Sequence, residues 1–293
     1  MAKILKLNPI VKKEILVSSR NAKMVTAITL MNCLFSVIIF VFFLVSRDTS
    51  FEVYYNNIAQ LFPILASCEL GIICLIIPIL TATSISGERE RQTLEIMLTT
   101  PISNTSVVYG KLLCAVVTTL MYVVSTLPFL AVSFIVGGLA WSMLLKYVGM
   151  VLFLDVYIGS IGVFYSCVKK TSAAATVCSI ITVVATAILL YAATQVIESI
   201  MYSYERVDSM YKLLHGLKTT FYVVNPVLWI LATMMVQLGF PLGFDGELGQ
   251  LAYSDFLINH SQIICVTVNL VVSFILMKLG SDRLFLDAKR KTR

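Results

Sequence analysis

The chain has 293 residues, of which 58% are apolar and 13% charged, with a mean hydropathy of +0.90 and a formal net charge of +6. Ordinary soluble domains carry about 25% charged residues, so a water-soluble fold could not hide this much apolar surface. The apolar residues come in long charge-free runs, which makes lipid the expected solvent and excludes counting domains by length.

The first stretch, 1–23, contains Asn8-Pro9, a helix start with Asn as N-cap and Pro at the first helical position. At 100° per residue, Lys12, Lys13 and Arg20 share one arc, while Ile10, Val11, Ile15 and Val17 lie mostly away from it. An amphipathic helix along the inner membrane surface is expected. It would serve either as a basic anchor on anionic lipid or as a contact for a partner subunit. The apolar run that follows is long enough to stay in the membrane, so no cleavable signal peptide is expected.

A helix that crosses a bilayer needs about 20 mostly apolar residues. By that measure spans are expected at about 24–46, 63–85, 112–136, 143–168, 171–197 and 262–279, with Gly137-Gly138 separating the third from the fourth. Two spans carry an acid. Glu69 lies about 9 Å below the outer end of the second, at 1.5 Å per residue, and Asp155 lies near the middle of the fourth. Carboxylates at such depths are costly and face a bundle interior or a watery path. They are either contacts on a translocation path or structural groups, hydrogen-bonded or held neutral next to hydroxyls such as Tyr157 or Ser160.

Between the second and third spans runs Ser86-Gly-Glu-Arg-Glu-Arg-Gln-Thr-Leu-Glu-Ile-Met-Leu-Thr-Thr-Pro-Ile-Ser, ending at Gly110-Lys111. The charges alternate in sign and Arg91 can pair with Glu95 one turn on, so a short solvent-facing helix is expected. Leu94, Met97 and Leu98 add an apolar stripe, and Pro101 ends the helix. That pattern suits a helix that docks into a groove on a cytoplasmic protein, and it also suits a plain solvated connector.

The stretch 222–240 is apolar, yet Asn225-Pro226 breaks it near its start and Gly239-Phe240-Pro241 at its end. A seventh span would put the two basic termini on opposite sides, whereas six keep both in the cytoplasm. Of the 22 Lys and Arg, only Arg47, Lys146, Arg206, Lys212 and Lys218 then fall outside. The stretch is therefore expected as helices that dip into the outer leaflet, within an external segment 198–261.

The run from Ser86 to Thr93-Leu94-Glu95, with Leu98-Thr-Thr-Pro-Ile-Ser and Gly110-Lys111-Leu112, resembles the signature of ABC-2 type permeases, the membrane-spanning subunits of bacterial ABC exporters. In that family the coupling loop, here 86–111, forms a coupling helix that receives the motion of a separate ATPase. The resemblance assigns that role to Glu88, Arg89, Glu90, Arg91, Thr93, Leu94, Glu95, Met97, Leu98 and Pro101. It likens Pro9, Lys12, Lys13, Glu14 and Arg20 to an interface helix, and Asn225 and Pro226 to an external re-entrant segment. Gln92 departs from the pattern, standing where many members have Gly at the start of the coupling helix. The resemblance also implies a second permease subunit, as homodimer or heterodimer, in the cytoplasmic membrane of a prokaryote.

No GxxxxGK[ST] pattern occurs, so the chain has no phosphate cradle, no ATPase activity of its own and no expected cofactor; ATP and Mg belong to the partner ATPase. An intramembrane enzyme needs a nucleophile with a base, or clustered metal ligands. His215 and His260 both fall in the external segment and Ser160 lacks a base, so no catalytic or metal-binding residue is assigned. The seven cysteines are spread singly and read as small buried hydrophobes. An ion-coupled secondary transporter is the leading alternative, though spans one to three do not visibly mirror four to six. Nucleic acid is not an expected partner, since the inner-face bias accounts for the net charge.

The expected fold is an all-α membrane protein: an interfacial amphipathic helix at 1–23 and six transmembrane helices within 24–293, with a cytoplasmic coupling helix and an external re-entrant segment. Its nearly featureless apolar walls suggest a hydrophobic or amphipathic cargo.

Overall fold

A computed structural model describes residues 22–45, 61–94, 104–137, 141–203, 208–230 and 260–291. Among them are α1 (Ala22–Val45), α2 (Leu61–Glu90), α3 (Asn104–Gly137), α4 (Trp141–Val168), α5 (Ser172–Ser203), α6 (Asp208–Val224) and α7 (Ser261–Lys291), with a further helical stretch at 226–230 and no strand. All but α6 are long and apolar enough to cross a membrane, giving the six expected spans. The helices outrun the charge-free segments: α2 continues to Glu90, and α3 begins at Asn104. Charge marks where lipid ends, whereas a helix ends only where its backbone bonds are capped. With 31 residues, α7 is about 46 Å long, well beyond a hydrocarbon core of about 30 Å.

The chain divides into two compact units, residues 1–179 with 276–293, and residues 180–275. In the first, α4 is the central helix: 67% of its apolar window is buried, against 11% for α1. Lipid tails are as apolar as leucine, so helices in a membrane associate through close backbone approach and interhelical hydrogen bonds. Gly162 supplies the approach, because a Cβ there would stand 1.9 Å from Thr81 Oγ1 of α2. Phe62 of α2 packs edge-on against Phe134 of α3 and Tyr147 of α4, with ring centroids 4.9 and 5.8 Å apart.

The second unit is organised around Asn225. Its Oδ1 accepts from the backbone N–H of Val227 and Leu228 at 3.2 and 3.3 Å, so it caps the stretch that Pro226 opens. Its Nδ2 donates to Ala187 O of α5 at 3.1 Å, and Asn269 Nδ2 of α7 donates to Val224 O, the last carbonyl of α6, at 3.1 Å. Asn225 is buried, so the break is held by partners from two other helices. The apolar stretch expected from residue 222 starts inside α6, which runs to Val224. Met210, Leu213, Leu217 and Phe221 had the helical spacing that could have revealed it.

Candidate functional site

Three consecutive charged residues close α2, and each is taken by a different helix. Successive side chains on a helix point 100° apart, so Glu88, Arg89 and Glu90 radiate to three sides and can all be paired only where other helices surround that end. Glu88 Oε1 accepts from Lys111 Nζ of α3 at 2.5 Å, with only 4% of the lysine side chain exposed. Arg89 donates through Nη1 to Lys169 O at 2.6 Å and through Nη2 to Cys167 O at 3.1 Å, which satisfies carbonyls at the end of α4. The carboxylate of Glu90 accepts from the backbone N–H of Ser172 at 2.8 Å and from its hydroxyl, at the first turn of α5. The cation at a helix C-terminus and the anion at an N-terminus both complement the helix dipole. Ser166 of α4 adds a further tie, its Oγ accepting from the backbone N–H of Ile85 and Ser86 at 2.9 Å each.

The chain then reverses through a Schellman motif. Thr93 N–H bonds Glu88 O at 3.0 Å and Gln92 N–H bonds Arg89 O at 3.1 Å, with Gln92 at φ 58°. A left-handed backbone suits glycine and costs other residues about 1–2 kcal/mol. Position 92 therefore ends α2, where the sequence reading put the start of a coupling helix. Leu94, 7% exposed, follows into a core with Ile85 of α2, Val108 and Leu112 of α3, Cys167 of α4, and Leu284 of α7. Gly280 of α7 lies against the same cysteine, a Cβ there standing 3.4 Å from its Sγ.

The other sequence-derived candidates fall as follows. Arg91 and Thr93 are exposed, and Thr93 Oγ1 donates to Glu88 O at 3.2 Å. Glu95, Met97, Leu98 and Pro101 lie outside the described residues, as do Pro9, Lys12, Lys13, Glu14 and Arg20 of the interface helix. Glu69 lies about 28 Å from Glu88 along α2. It is fully buried, Oε1 accepting from Thr126 Oγ1 of α3 at 2.5 Å and Oε2 from Tyr147 OH of α4 at 2.7 Å. Asp155 is 1% exposed, and among the described residues neither of its oxygens meets a hydrogen-bond donor. The hydroxyl of Ser160 serves the Tyr157 carbonyl instead, at 2.7 Å.

Sequence reasoning missed the partners: Thr126, Tyr147, Ser166, Ser172 and Leu284. Only Lys111 carries a signal, as a lysine at the mouth of an apolar run within Gly110-Lys111-Leu112. Among the described residues no cluster of His, Cys, Asp and Glu could hold a metal. The junction ties the end of α2 and the residues after it to α3, α4, α5 and α7.

A family model described as ABC-2 family transporter protein matches residues 7–277, which includes the whole of this junction up to α7. The chain belongs to the ABC-2 family. As an ABC-2 protein it is a multi-pass membrane subunit, the permease of an ABC transporter, and membership implies association with an ABC ATPase subunit. No curated protein matches the chain.

Proposed function

We propose that residues 86–111 are the coupling element through which a separate ABC ATPase, carrying the ATP and Mg, drives this ABC-2 permease. The observation that carries the reading is the junction at Glu88, Arg89 and Glu90, which gives a displacement of the following residues a path into α3, α4 and α5. Arg91, Gln92 and Thr93 are exposed beside it and offer the nearest points of contact, with Glu95, Met97, Leu98 and Pro101 beyond.

The assembly we propose exports a hydrophobic or amphipathic cargo across the cytoplasmic membrane of a prokaryote, with both termini inside. A second permease subunit, identical or homologous, completes the path. In support, α1 and α5 bury only 11% and 17% of their apolar windows, which leaves surface for lipid and for that subunit. The exposed apolar stripe of α6, Met210, Leu213, Leu217 and Phe221, together with the break at Asn225-Pro226, supports an external segment that dips into the membrane. The basic helix at 1–23, with Pro9, Lys12, Lys13, Glu14 and Arg20, would lie on the inner headgroups or against a partner. Of the two buried acids, the bonds to Glu69 support a structural role, whereas Asp155 remains the candidate for the path.

That same Asp155 is the observation that favours ion-coupled transport as a second reading. Transport that persists without ATP and collapses with the ion gradient would select it. The primary reading is tested by a photo-cross-linking residue placed in turn at positions 91, 92 and 93 of the permease co-purified with its ATPase. Adducts to the ATPase are expected, and absence of an adduct from position 92 would overturn the coupling role.

A further inference from the structure

We infer that Glu88, Arg89 and Glu90 are positioning residues inside the permease and not contacts for the ATPase: they root the coupling segment in α3, α4 and α5 so that the four helix ends move as one block. The inference rests on the coupling reading above and assigns the roles within it.

The chemistry of each tie argues for this division. Lys111 is 4% exposed, so drawing Glu88 away to an incoming partner would take a charge-paired carboxylate from a buried cation. Arg89 serves two backbone carbonyls, and removing its guanidinium would uncap the end of α4. Glu90 is the most exposed of the three, yet its carboxylate accepts both donors of Ser172 at the start of α5. Because the three side chains leave α2 about 100° apart, they oppose rotation of its end as well as sliding. Ser166 pins the turn before them, and the core around Leu94 and Leu284 pins the residue after the reversal. Between these fixed points Glu90, Arg91, Gln92 and Thr93 are exposed; the Glu90 carboxylate is taken by Ser172, so contact with the ATPase starts at Arg91, Gln92 and Thr93.

The test uses the permease co-purified with its ATPase in phosphatidylethanolamine and phosphatidylglycerol nanodiscs, with a photo-cross-linking residue at Gln92 and ATP as the only added ligand. The variants are Glu88→Lys, Lys111→Glu, their combination, Arg89→Gln, Glu90→Gln, Ser172→Ala, and the last two together. Adduct formation from position 92 is expected to survive in every variant. The ATP hydrolysis that the permease adds over the free ATPase is expected to fall by about five-fold or more in Glu88→Lys and Arg89→Gln, the low end of coupling between sites. The charge-exchanged pair is expected to recover most of it. Glu90→Gln and Ser172→Ala lower it in the same direction, and combining them lowers it no further, because they remove one tie. Loss of the adduct from monodisperse Glu88→Lys or Arg89→Gln would make these residues contacts and overturn the inference, as would hydrolysis unchanged in all variants. Should a single charge reversal fail to fold, the charge-exchanged pair and the Glu90 and Ser172 variants decide by the same readouts. Absence of an adduct in the protein with its native charges would instead overturn the coupling reading itself, and the inference with it.

Discussion

Leu94, the first residue past the reversal that ends α2, shares one buried core with Leu284 of the last helix. Each is enclosed by residues from α2, α3 and α4, so removing either side chain opens a cavity in the same place. Leu94→Ala and Leu284→Ala are each expected to cost about 2–5 kcal/mol. The pair should cost less than the sum, because neighbours in one core couple. A double-mutant cycle on thermal unfolding in detergent checks this, and strict additivity would contradict a shared core.

Gln92 holds φ 58° to close the Schellman motif. Gln92→Gly removes the penalty of a Cβ in that conformation and is expected to stabilise the protein by about 0.5–1 kcal/mol, less than the full penalty because glycine also frees the unfolded chain. Gln92→Val should destabilise it, since a β-branched residue is least tolerant there. Unfolding midpoints of the two variants must move in opposite directions.

The close approach of α4 to α2 makes its glycines unequal to others in the bundle. A Cβ on Gly162 would meet Thr81 Oγ1 at 1.9 Å and Thr81 Cβ at 2.9 Å, whereas one on Gly71 meets nothing within 4 Å. Gly162→Ala is expected to destabilise by about 1–3 kcal/mol through overpacking. Gly71→Ala should be neutral or stabilising by about 0.5–1 kcal/mol in a helix interior. Yield of monodisperse protein and its thermal midpoint distinguish the two.

The two buried acids should also part company. Tyr147→Phe removes one of the donors to Glu69 and is expected to cost about 1 kcal/mol, in the range found for interhelical hydrogen bonds in membranes. Asp155→Asn breaks no bond among the described residues, so assembly should be intact. If Asp155 lies on the working path, ATP turnover stimulated by the permease falls in that variant; unchanged turnover would remove it from the path.

The six spans were legible because lipid demands long charge-free runs, a signal local to each helix. The Asn225-Pro226 break was legible for a similar reason, since N-cap and first-turn preferences act over a few residues. The junction was not. Local pairing rules take Arg91 to Glu95 and make Glu88 to Arg91 a solvent-facing run; Glu90 and Arg91 are indeed exposed, but Glu88, Arg89 and Glu90 also reach Lys111, Lys169 and Ser172 along the chain. Which neighbour a charge meets at a helix end depends on how the other helices converge there, and no spacing in the sequence records that. Asp155 shows the same limit: Tyr157 and Ser160 stand close in sequence, but the hydroxyls that reach a buried acid belong to Thr126 and Tyr147 and go to Glu69.

On the coupling we propose, an ATPase engages the permease at the reversal after α2. It is tested most directly by photo-cross-linking from Gln92 in the assembled transporter, with Leu145, 77% exposed on α4, as the control. An adduct between permease and ATPase is expected from position 92 and none from position 145. ATPase adducts from neither position, or from 145 alone, would contradict it.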